Sequence, residues 1–239
     1  MHAIQINSQV MKRTVTNRGG QWAFENIDPK RTCHIVIDLQ NGFLEPGAPV
    51  EVPMAREIVS NVNAISRAVR AEGGMVAFTR WAYKVDEPNA WSNWYHGLMA
   101  DRSSTVIREA FVPGAHNHAL WPELDVNPAD IIVDKTRFSA FTPGTCDLKR
   151  LLDDRGIDTV IISGTLTNSC CESTARDACQ LNYKTIFVAD ATATFSDSEQ
   201  NATLNNLSPA YADIMLTEEV CSFTSAHTPD RLRAPRVFA

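Results

Sequence analysis

Two kinds of apolar pattern alternate along the chain. Short, nearly continuous and largely β-branched runs recur at CHIVID (33–38), GMVAFTR (74–80), DIIVDK (130–135), DTVIIS (158–163), KTIFVAD (184–190) and, more briefly, ADIML (212–216). Runs without polar alternation predict strands covered on both faces, as in a parallel sheet. Between the runs the spacing turns helical. Ile58, Val62, Ile65 and Val69 share one face over 54–71, and Gly73-Gly74 stops the pattern. Shorter helices are expected over 145–155, 169–182 and 197–207, with a last one beginning near Thr217. Strands alternating with helices predict an α/β domain with a sheet wrapped on both sides.

The flanks and one internal stretch break this rhythm. Residues 1–31 are polar, with Gly19-Gly20 and Asp28-Pro29 as breakers, and read as an arm or a loop-rich lead-in. The domain proper is placed at 32–225, and 226–239 forms a C-terminal tail that either stays disordered or reaches a neighbouring subunit. Residues 81–128 lack a clean period and carry Trp81, Trp91, Trp94 and Trp121, which suggests a lid or an elaborated loop.

Composition narrows the function classes. A length of 239 residues with 44% hydrophobic and 21% charged residues suits one sizeable globular domain. The net charge of -6 argues against nucleic acid as a partner. The apolar runs are too short to span a membrane, and Lys12, Arg13 and Arg18 precede no apolar segment of the kind a signal peptide needs. The six cysteines contain no C-x-x-C pair, so a reduced, cytoplasmic protein without structural zinc is expected.

In doubly wound sheets, ligands bind at the carboxyl ends of the strands. Those ends carry Asp38, then Asp134-Lys135, then Gly164-Thr165 leading to Cys170, and finally Asp190. A carboxylate, an ammonium and a thiol therefore meet on one sheet edge. A thiol ionises more readily at a helix N-terminus or beside a cation, and Cys170 is placed in a first helical turn with Lys135 as the cation. Asp38 is suited to take the thiol proton and return it to a leaving group. Free N–H groups of the turn face a tetrahedral oxyanion. Together they suit acyl transfer to water through a thioester. For the adjacent Cys171 composition favours a small buried residue, and a redox role for the pair is disfavoured because vicinal cysteines form a strained disulfide.

Three stretches, IVIDLQNGF (36–43), DKTRFSAF (134–141) and GTLTNSCCESTARDACQLNYKTIFVADA (164–191), resemble the isochorismatase-like cysteine hydrolases in order and spacing. The resemblance implies a three-layer α/β/α fold with a six-stranded, mainly parallel, Rossmann-like sheet. It implies Asp38 as general base and acid, Lys135 as electrostatic partner and Cys170 as nucleophile. It also implies a cis peptide at Thr165-Leu166, with the N–H groups of Leu166 and Cys170 forming an oxyanion hole. The T-N-x-C-x-E-S-T-x-R-D run is similar to that of ureidoacrylate amidohydrolases. A small linear amide, ureide or carbamoyl substrate is thus expected, with an isochorismatase-type vinyl ether hydrolase or a nicotinamidase-like amidase as the alternatives. The family's nicotinamidases carry an Asp/His metal site after the second strand. The segment here, FTRWAYKVDEPNAW, lacks the histidine, so neither metal nor cofactor is expected, and the H-x-H of His116 and His118 lacks a third ligand. Gln40, Asn41, Phe43, Trp81, Tyr83, Trp94, Arg137, Phe141 and Asn168 are candidate substrate contacts. Arg137 faces either a substrate carboxylate or nearby Asp134, while Glu172 and Arg176 form a structural i,i+4 pair. The family also implies a homo-oligomer, a dimer or tetramer.

Overall fold

Each of the six apolar runs forms a strand in the computed structural model, which describes residues 1–84 and 91–224. The strands are β1 (Thr32–Ile37), β2 (Met75–Trp81), β3 (Ile131–Lys135), β4 (Thr159–Thr165), β5 (Lys184–Ala193) and β6 (Asp213–Met215). They assemble in the order β3-β2-β1-β4-β5-β6, and every neighbouring pair is parallel, so the sheet is wholly rather than mainly parallel. β1 and β4 at its centre are buried along their whole length, which explains why their sequences show no polar alternation. The strand order reverses between them, and at such a switch point the carboxyl ends open a crevice.

The helices are α1 (Ser8–Arg18), α2 (Asn41–Leu44), α3 (Pro53–Glu57), α4 (Val59–Ala71), α5 (Asp101–Ala110), α6 (Leu148–Asp153), α7 (Glu172–Gln180), α8 (Asp197–Leu207) and α9 (Thr217–Thr224). α4 and α9 pack on each other and on the sheet, and α7 and α8 form a second packed pair against β5 and β6. The result is the expected three-layer arrangement. The pattern over 54–71 is two helices rather than one, because Ile58 ends the first short helix and opens the second.

Two helices escaped the apolar pattern for the same reason. α1 buries only Thr14 and is defined instead by its ends: Asn7 accepts from the Gln9 and Val10 N–H groups, and Gly19 closes it in a left-handed conformation. α5 buries Ser104 and Ala110, small residues that leave no hydrophobic period to read. The 81–128 stretch further holds a π-helical turn (Asn93–Leu98) and a 3₁₀ turn (His116–His118). The tail after 224 lies outside the described residues. Among the described residues no helix is long and apolar enough to cross a membrane.

Candidate active site

The central strands bring three reactive groups together. β1 ends at Ile37, and the next residue, Asp38, adopts a left-handed φ of 53° and hydrogen-bonds its N–H to Thr79 O at 3.1 Å. That conformation is costly for a residue with a side chain and marks functional positions. The neighbouring strand makes room for it. Gly164 sits at φ 114°, where a Cβ would lie 2.1 Å from the Ile37 carbonyl oxygen, so only glycine allows β1 and β4 to run this close.

Asp38 and Lys135 are both fully buried, and Lys135 Nζ lies 2.7 Å from Asp38 Oδ2. That contact is a close, fully buried ion pair. Oδ1 accepts from the Thr79 hydroxyl at 3.0 Å. Thr79 was not a sequence candidate, although its register on β2 opposite Ile37, the last residue of β1, places it beside Asp38. Lys135 Nζ also donates to Arg137 O at 3.1 Å and lies 5.0 Å over the Trp81 ring. These contacts hold the ammonium from three sides.

Cys170 belongs to a π-helical turn (Thr167–Cys171) between β4 and α7. The N–H groups of Ser169 and Cys171 both donate to Leu166 O at 3.1 Å. Such turns are rare and recur at functional sites. Cys170 is only 4% exposed and lies beside Asp38 and Lys135, close enough for both to act on its thiol. Burial pushes the thiol up to about 12, with Lys135 opposing and Asp38 adding to the shift. Burial also raises Asp38 above the ordinary carboxylate range, against the pull of Lys135. Burial alone would lower Lys135, but the charges of Asp38 and Cys170 outweigh it and hold the ammonium above its usual value. The resting arrangement is therefore a protonated thiol beside a carboxylate–ammonium pair, in which the carboxylate is unusually basic. The Thr165-Leu166 peptide is cis.

Cys171 is fully buried with its thiol directed at Ser163 O, 3.9 Å away, and burial raises it well above its ordinary value. Asp190, at the edge in sequence terms, does not join the group. It accepts from Thr217 N–H and Oγ1 at 2.7 and 2.8 Å and so caps α9.

The candidate substrate contacts divide. Trp81, Trp91, Trp94 and Phe138 form one cluster, with centroids 4.8–5.9 Å apart, and the Trp81 ring faces Lys135. Tyr95 and Tyr83 extend it, and the Arg137 guanidinium stacks 5.2 Å over Trp91. Asp134 is held by Arg80 and His118.

Five other candidates are engaged elsewhere. The fully buried Gln40 donates to Trp81 O and His118 O and accepts from Trp81 N–H, bracing the ends of β1 and β2 against the 116–118 turn. Asn41 donates to His116 O, and Phe43 packs on Phe111 at 4.9 Å. Phe141 stacks on Tyr183 at 5.5 Å. Asn168 accepts from Thr194 Oγ1 at 2.8 Å.

His116 and His118 diverge, to Glu45 at 2.7 Å and Asp134 at 3.1 Å. Among the described residues no group of three or more His, Cys, Asp or Glu side chains is arranged to hold a metal ion. Glu172 pairs with Arg176 at 2.7 Å and accepts from Thr203, tying α7 to α8. A groove of about 940 Å³ runs along β3 past Tyr83, Ile132 and Cys146, but none of Asp38, Lys135 or Cys170 lines it.

Residues 32–219 match the family model described as the isochorismatase domain. The chain is 32% identical over 203 residues to YwoC, an uncharacterised isochorismatase family protein of Bacillus subtilis, covering 81% of this chain and 94% of that protein. It is 28% identical to the ureidoacrylate amidohydrolase RutB of Agrobacterium fabrum, over 85% of this chain and 94% of that one. Among solved structures, a cysteine hydrolase from Pseudomonas syringae pv. phaseolicola superposes with a TM-score of 0.74 at 29% identity, covering 84% of this chain and 95% of that one. Fold, motif order and relatives together define a hydrolase with a parallel α/β sheet. The chain belongs to the isochorismatase family.

Proposed function

We propose that the chain is a cysteine-dependent amidohydrolase that cleaves a C–N bond in a small linear amide, ureide or carbamoyl compound. The observation that carries the reading is the buried contact of Cys170 with the Asp38–Lys135 pair. A similar ureidoacrylate amidohydrolase and a similar cysteine hydrolase support it.

A thiol that stays protonated at neutral pH needs a base at the moment of attack. Asp38 takes the Cys170 proton as the sulfur bonds to the substrate carbonyl carbon, and the carbonyl π electrons move onto oxygen. The Leu166 and Cys170 N–H groups receive that oxyanion. Lys135 keeps Asp38 ionised and balances the charge on sulfur. The tetrahedral intermediate collapses, the C–N bond breaks, and Asp38 gives its proton to the leaving nitrogen. Asp38 then removes a proton from water as the water oxygen attacks the thioester carbon. The C–S bond breaks, the acid or carbamate departs, and sulfur recovers its proton. The aromatic cluster over Lys135 keeps bulk water from the thioester.

The test is an ammonia-release screen over ureidoacrylate, biuret, carbamoyl amino acids, nicotinamide and simple amides, run with Cys170→Ala and Cys171→Ala. Turnover lost in the first variant and retained in the second supports the reading. Activity that survives Cys170→Ala, with turnover of a vinyl ether instead, would overturn it.

A further inference from the structure

The chain before residue 32 lies outside the family match, yet it is bonded to α8, the helix against which the nucleophile turn packs. Residues 3, 5 and 7 run extended along α8. Ala3 N–H donates to Asp197, Gln5 N–H to Asn201 and Asn7 N–H to Asn205, at 3.3, 2.7 and 2.8 Å. Asn201 also returns a hydrogen bond to Ala3 O at 2.8 Å. The spacing is physically matched: two extended residues advance about 6.6 Å and four helical residues about 6.0 Å, so alternate arm residues meet successive turns of one helix stripe.

The other side of α8 holds the turn containing Cys170. Gln200 Oε1 accepts from Thr167 Oγ1 at 2.6 Å, Thr203 donates to Glu172 at 2.7 Å, and Glu199 accepts from Asn168 at 3.4 Å. At 100° per residue, positions 199, 200 and 203 lie roughly opposite the 197, 201 and 205 stripe. The arm thus presses on one face of α8 while the nucleophile turn hangs from the other.

One side chain starts a hydrogen-bonded path between the two sides. His2 is buried, with Nδ1 2.8 Å from Asp197 and Nε2 3.1 Å from the Thr194 main chain. Thr194, fully buried at the β5–α8 junction, donates its hydroxyl to Asn168 Oδ1 at 2.8 Å. Asn168 stands two residues before Cys170, inside the π-helical turn. We infer that the N-terminal arm positions the nucleophile: His2, through Thr194 and Asn168, holds the turn so that the Cys170 thiol meets Asp38. The inference rests on Cys170 as nucleophile. It makes His2 a positioning residue rather than a catalytic one.

The full-length protein is compared with His2→Ala, Thr194→Val, His2→Gln and His2→Asn. Two readouts are taken: kcat and KM on whichever amide releases ammonia, and the pH profile of iodoacetamide alkylation at Cys170, read by mass spectrometry of its peptide. Small displacements of reacting groups cost rate rather than binding, so His2→Ala and Thr194→Val should lower kcat about tenfold with KM unchanged. Both should also shift the Cys170 alkylation profile. A glutamine amide reaches where Nε2 lies and an asparagine amide only where Nδ1 lies. His2→Gln should therefore restore kcat while His2→Asn does not. A lowered melting temperature with kcat and the alkylation profile both unchanged overturns the inference, as does equal behaviour of the glutamine and asparagine variants. The alkylation readout needs no substrate. Failure of the amidohydrolase reading, seen as turnover surviving Cys170→Ala, is thus distinguishable from failure of the arm to position the thiol.

Discussion

Asp38 carries the heaviest chemical demand on any single residue. It is buried, bent into a left-handed conformation, paired with Lys135 and raised above the ordinary carboxylate range by desolvation. A base with a raised pKa is protonated at a higher pH than a surface aspartate. The acid limb of kcat/KM should therefore fall above the usual carboxylate value of about 4, and rate should be lost as pH drops through it. Asp38→Asn keeps the shape but cannot accept a proton, and should lower kcat by about 10²–10⁴-fold with KM little changed. His34 makes a second pH-dependent demand. It lies in β1 between the hydroxyls of Ser66 and Ser163, and burial, with Arg70, lowers it to about 3. The folded state keeps it neutral, whereas the unfolded chain protonates it near 6.5. Its contribution is complete above that value and is lost as pH falls towards 3, at about 1.4 kcal/mol per unit. Thermal melts across this range should lose stability faster in the parent than in His34→Gln.

At the scale of elements, the strands were legible because a central parallel strand is buried on both faces and has to be apolar throughout. The strand ends followed directly: knowing where β1, β3 and β4 stop was enough to put Asp38, Lys135 and Cys170 on one edge. α1 was illegible because it is defined by its caps, and α5 because the residues it buries, Ser104 and Ala110, are too small to make an apolar stripe. Gln40, Asn41 and Phe43 show the limit of adjacency. They follow Asp38 in the chain, but α2 turns them into the packing under the 116–118 turn. Thr79 shows the converse, since it reaches Asp38 only through strand register. The β1–β4 approach gives a test at this scale. Gly164→Ala places a methyl group against backbone that cannot move aside, and should leave little folded protein, measured as soluble yield and near-UV signal.

For the whole molecule, the two edges of the sheet are finished differently. β3 leaves Ile132 43% exposed, whereas β6 is closed by the arm. There the buried Asp213 accepts from the Ala23 and Phe24 N–H groups and from Arg18, the last at 2.6 Å. Removing one partner of a buried pair leaves an uncompensated charge. Arg18→Ala should therefore cost about 3–5 kcal/mol in denaturant titration. Asn7→Ala, which removes only the α1 cap, should cost about 1 kcal/mol.

The indole cluster also gives the protein its own optical probe. Three of the chain's five tryptophans, Trp81, Trp91 and Trp94, have ring centroids within 6 Å of one another, and Trp91 and Trp94 are stacked at 4.8 Å. Transition dipoles this close couple strongly, so near-ultraviolet circular dichroism should be dominated by the group covering Lys135. A colourless, small substrate that displaces any one of these rings should change that signal, with Trp94→Phe as the control in which the coupled band collapses. Binding could then be followed on the Cys170→Ala protein before any product assay exists.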